Sequence, residues 1–164
     1  NKWHTDPPGS FFMLYNYWVI KKSNKSIMME QPSFLPEISI IRNIDYLRCI
    51  HKIEDICSVY FICHDGAVKI GRTTDIQKRM ETIQTSCHGP IELFYSFCTD
   101  KETETELHRI FSDIRLKGEW FIFGREFVLR LDEYMKRYDK WWTECKEWID
   151  GGGEGDSPVR LVAH

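Results

Sequence analysis

Apolar and polar positions fall into regular periods from Ser58 onward. Val59-Tyr60-Phe61-Ile62-Cys63-His64 reads as a strand and Ala67 to Gly71 as its partner, because Asp65-Gly66 between them supplies the positive φ angles of a type I′ turn. The period then becomes helical. Thr74-Asp75-Ile76-Gln77 reads as a capping box, and Ile76, Met80 and Ile83 make the apolar face of a helix to about Thr85. Gly89-Pro90 breaks the chain, and Ile91 to Cys98 is a third strand. Thr99-Asp100-Lys101-Glu102 repeats the capping pattern before a helix to about Ile114, with Leu107, Ile110 and Phe111 facing the core. Gly118 turns the chain into a short strand, Trp120 to Phe123. The order β-β-α-β-α-β predicts a small α+β domain: a mainly antiparallel sheet of three or four strands flanked by helices.

Outside that block the patterning weakens. Residues 1–57 form an accessory region without a clean period, apart from a short helix expected over Asp45 to Ile56 with Leu47, Ile50 and Ile53 on one stripe. The chain opens on Asn1, and a natural start at Met28 or Met29 is expected. Residues 124–150 carry helical spacing at Phe127, Leu131, Tyr134 and Tyr138, predicting a terminal helix against the 58–123 domain. Residues 151–164 are Gly-rich and apolar-poor, which predicts a disordered tail.

Composition narrows the class. At 164 residues and 42% hydrophobic content the chain can bury a sizeable core. Its net charge of -3, with eight Lys or Arg against ten Asp or Glu in residues 58–123, excludes a broadly basic nucleic-acid binder, so any cationic surface is local. Six cysteines lack the spacing of a disulfide framework or zinc site, which predicts reduced thiols and an intracellular setting, cytoplasmic or nuclear. The apolar run Phe11 to Ile20 is too short to span a bilayer, so no membrane association is expected.

One ordered set of residues remains: Tyr60 in Ser58-Val59-Tyr60, then Lys69-Ile70-Gly71-Arg72, Arg79, Glu104, His108 and Gly118-Glu119-Trp120-Phe121. This set resembles the GIY-YIG nuclease superfamily, and within it the T5 orf172 branch, also seen in the meiotically up-regulated gene 113 family. Lys69 stands where most of the superfamily has tyrosine, as is usual in that branch; no match follows Glu119 for the superfamily's terminal asparagine. The resemblance implies a metal-dependent DNA endonuclease or nickase. Tyr60 would be the base, with Lys69 and the metal favouring its phenolate; Lys69, Arg72 and Arg79 would clamp the phosphate; Glu104 would hold Mg²⁺ or Mn²⁺. His108, one helical turn beyond Glu104, would be a supporting partner or alternative base.

These types suit the chemistry. Phosphodiester hydrolysis needs a base for water, cations against the charge growing on the phosphoryl oxygens, and a hard cation on oxygen ligands. Each residue alone has an ordinary explanation: a strand tyrosine is usually core, Glu and His four apart are usually helix surface, and Trp120 and Phe121 read as core. Only the set is specific. The alternative is a catalytically inactive module of the same fold that binds nucleic acid or a protein partner; a third reading makes the aromatic ends a dimer surface, and the sequence leaves the oligomeric state open.

Overall fold

A computed structural model describes residues 53–158; most of the accessory region and of the helix expected over Asp45 to Ile56 lies outside them. Where that helix was expected to finish, Ile53–Asp55 is a single 3₁₀ turn and Ile56 already belongs to a strand. Five strands follow: β1 (Ile56–His64), β2 (Ala67–Thr73), β3 (Glu92–Asp100), β4 (Arg115–Lys117) and β5 (Trp120–Ile122). The helices among the described residues are α1 (Ile76–Ser86), α2 (Glu102–Ile110) and α3 (Arg125–Asp150). All strand pairs are antiparallel, in the order β3-β1-β2-β5-β4. The α+β class holds, and the sheet has one strand more than expected. β4 escaped the sequence reading because three exposed residues carry no alternation to read.

Local chemistry explains the frame. Asp65 (φ 48°) and Gly66 (φ 74°) both take positive φ, as a type I′ hairpin requires. Both expected capping boxes turn on the aspartate and not on the preceding threonine. Asp75 Oδ1 accepts from Lys78 N at 3.1 Å at the head of α1, while Asp100 Oδ1 accepts from Glu102 N at 2.9 Å and Thr103 N at 3.2 Å at the head of α2.

Strand alternation divides the interior. Val59, Phe61 and Cys63 enter the main core with Leu107 of α2, Phe111 just past its end, and Phe127, Leu131 and Tyr138 of α3. Tyr60 and Ile62 face the other way, into a small cluster closed by Ile83, Met80 and Ile76 of α1 and bordered by Trp120. The sheet is thus covered by α1 on one face and by α2 and α3 on the other.

Residues 151–158 of the expected disordered tail return onto α3. Trp148 Nε1 donates to Glu154 O and Trp141 Nε1 to Pro158 O, both at 3.1 Å, and Gly153 N donates back to Trp148 O at 2.9 Å. Truncation after Asp150 should therefore lower the melting temperature by about 4 °C, the scale set by roughly 1 kcal/mol of lost hydrogen bonding in a small domain. Differential scanning calorimetry of the truncated and full chains checks this, and equal midpoints would mean the segment contributes nothing.

Candidate active site

Strand β5 pairs with β2 over Ala67 to Lys69, with a last ladder bond from Ile70 N to Glu119 O at 3.0 Å. Gly71, Arg72 and Thr73 run on past the end of β5, so this half of β2 forms an open edge on that side. α2 reaches it: His108 Nε2 lies 2.9 Å from Ile70 O, and because a carbonyl oxygen only accepts, this nitrogen carries the proton. The predicted site residues gather around this edge from both faces of the sheet.

On the α1 face, Tyr60 stands opposite Gly71 in the β1–β2 register, and its side chain lies across that glycine. A Cβ at position 71 would fall 2.2 Å from the Tyr60 hydroxyl, so only glycine leaves room for the ring. Tyr60 has 0% exposure, and its hydroxyl accepts from Arg79 Nε at 3.1 Å. That hydrogen bond and the attraction of the Tyr60 oxygen hold the Arg79 guanidinium in its protonated form more firmly than usual, with Glu119 and Glu104 adding to the effect. Lys69, on the same face, pairs with Glu119 at 2.6 Å and sits 5.6 Å from the centroid of the Trp120 ring.

On the α2 side, Glu104 Oε2 pairs with Arg72 Nε at 3.1 Å, and Glu104 Oε1 lies 3.8 Å from His108 Nε2. The two groups meet electrically. Arg79 responds to both Glu104 and Glu119, and Glu119 to Lys69, His108 and Arg79. Burial pushes the Glu119 carboxyl up, but the hydrogen bond from Lys69 and these surrounding cations outweigh it, so the net direction is down.

Of the six residues singled out in the sequence, Tyr60, Lys69 and Arg79 stand on the α1 face of the sheet, and Arg72, Glu104 and His108 on the α2 side. Glu119 joins them as a seventh that sequence reasoning named only as part of a motif; its signal was its place one residue before a strand that pairs with Lys69. Trp120, expected in the core, is only partly buried, whereas Phe121 is fully buried as expected. Glu106 faces away, buried and accepting from Tyr134 of α3 at 2.7 Å.

Glu104, the carboxylate expected to hold a metal, is occupied by its Arg72 ion pair. Among the described residues no cluster of three or more His, Cys, Asp or Glu forms a metal cage, so an ion at Glu104 would take its remaining ligands from water and phosphate oxygens, as Mg²⁺ commonly does. The Arg72 ion pair must loosen for that to happen, and an incoming phosphate offers Arg72 a replacement partner.

The fold is a small antiparallel α+β domain of the kind expected for a GIY-YIG-like nuclease-associated family. The T5orf172 domain family matches residues 57–150, and the chain belongs to that family. The match runs through α3, beyond the part in which the sequence motifs lie. Neither the curated proteins nor the solved structures provide a match. Among the described residues no helix is long and apolar enough to cross a membrane, and Cys57, Cys63, Cys87, Cys98 and Cys145 are unbridged. Burial is the main cause that pushes the Cys57 thiol up to about 11, the behaviour of a structural cysteine and not of a nucleophile.

Proposed function

We propose that this domain hydrolyses phosphodiester bonds in DNA, as an endonuclease or nickase, with Mg²⁺ or Mn²⁺ at Glu104. The observation that carries the reading is the Arg79–Tyr60 hydrogen bond set in the field of Glu104 and Glu119, which joins a proton acceptor, a phosphate-binding fork and carboxylates at one open edge. Arg79 binds the scissile phosphate, Lys69 and Arg72 hold its flanking oxygens, and Tyr60, having given its own phenolic proton to solvent, takes a proton from the attacking water as the phenolate. His108 fixes α2 against Ile70 and thereby places Glu104. A metal ion at Glu104 would supply charge neutralisation at the leaving oxygen.

The second reading, a catalytically silent module that binds nucleic acid, is favoured by the zero exposure of Tyr60 and the Arg72–Glu104 pair. Incubation of supercoiled plasmid with the full chain separates the two. Hydrolysis predicts nicked or linear product in Mg²⁺ or Mn²⁺ and none in EDTA; DNA retardation without product under any divalent metal supports the silent module.

A further inference from the structure

A row of side chains leads away from the active edge across the sheet. In the strand registers Lys69 of β2 pairs with Trp120 of β5, and Trp120 pairs with Lys117 of β4. Lys69 and Trp120 share the face that carries Tyr60 and Arg79, and the Gly118-Glu119 turn sets Lys117 opposite Trp120, beyond a register shift between Arg115 and Lys117. Neighbouring strands are about 4.8 Å apart, so the two ammonium groups rise from positions about 10 Å apart with the indole between them. Trp120 is partly exposed, and every residue of β4 is exposed, Leu116 at 56%. Edge strands often carry charge to discourage pairing with other chains, which accounts for Arg115 and Lys117; the Trp120 ring packs on the Ile83 cluster and meets His64 at 6.2 Å, and still leaves part of its surface exposed beside the proposed phosphate clamp.

We infer that Lys69, Trp120 and Lys117 form a subsite for an unpaired nucleotide next to the scissile phosphate, the base lying on the Trp120 indole and the neighbouring phosphate on Lys117. The inference rests on the nucleic-acid reading above and narrows the substrate to DNA with single-stranded character, such as a gap, a flap or a frayed end. An aromatic surface flanked by cations recognises such a strand because every base offers a π face and every linkage a charge, whereas a base inside an intact duplex has both faces already stacked. Lys69 does double duty: Glu119 holds it at 2.6 Å between the indole and the active edge.

The test is binding of the full chain to a fluorescein-labelled single strand of about 12 nucleotides and to the matching duplex, by anisotropy in EDTA so that cleavage does not intervene. Wild type should prefer the single strand. Trp120→Leu should lose roughly tenfold in single-strand affinity and abolish the preference, Trp120→Phe should retain most of it, and Lys117→Ser should reduce the slope of log K against log salt by about 0.7. Lys140→Ser, on the exposed side of α3, should change neither quantity. Equal affinity for strand and duplex in wild type, or a folded Trp120→Leu that binds like wild type, overturns the subsite. Lys117→Ser has no core to disturb, so an unchanged salt slope counts against the subsite even if Trp120→Leu fails to fold. No binding to either DNA by wild type overturns instead the nucleic-acid reading on which the subsite rests.

Discussion

Glu104→Gln is expected to abolish plasmid cleavage in Mg²⁺ while the domain stays folded. The amide keeps the shape of the side chain but removes the charge on which a cation depends, and losses of about a hundredfold or more are usual when one preorganised electrostatic element is removed from an active site. The substitution also frees Arg72 from its 3.1 Å partner, so DNA binding measured in EDTA should hold or strengthen while cleavage disappears. This opposite movement separates a lost metal ligand from a damaged fold. Glu102→Gln is the proper control: it lies on α2, two residues earlier, and is exposed. Glu106 is not a control, because its carboxylate is buried and bonded to Tyr134. Wild-type cleavage by Glu104→Gln, or an equal loss in Glu102→Gln, removes Glu104 from the mechanism.

Gly71→Ala should be the most damaging single-methyl change. Its Cβ would lie 2.2 Å from the Tyr60 hydroxyl and 2.4 Å from the ring carbon bearing it, and the ring is fully buried between β2 and α1. Overpacking of this kind costs about 3 kcal/mol, a large fraction of the roughly 5–15 kcal/mol that holds a domain together. Urea unfolding should show a lower midpoint with an unchanged slope. The same change in a Tyr60→Ala background should cost much less, since the atoms it meets are gone; additive losses would show that the clash is relieved elsewhere.

Much of the frame is legible in the sequence because it is local. The hairpin is written in Asp65-Gly66, whose φ requirements few other pairs meet, and the helices in apolar spacing that survives into the packed structure. Cap positions were displaced by one residue, since Thr-Asp pairs place two capable oxygens side by side and only the folded backbone chooses between them. The site residues could be named from the motif, but neither the exposure of Tyr60 nor the engagement of Glu104 by Arg72 could, because both depend on contacts between segments distant in the chain. Glu119 and Trp120 were hidden for the same reason. The pairing of β5 with β2 places them beside Lys69, and no periodicity in their own segment records that neighbour.

If the domain hydrolyses DNA as proposed, the division of the site between the two faces of the sheet gives α3 an indirect part in positioning it. Tyr60 and Arg79 ride on β1 and α1, whereas Glu104 rides on α2, which is moored on one side by His108 at Ile70 and on the other by Glu106 at Tyr134. The separation of proton acceptor and carboxylate is thus set by a lever whose far bearing is the terminal helix. Substitutions along the buried stripe of α3 should tune turnover without touching DNA, and segments joined to that helix have a mechanical route to the chemistry.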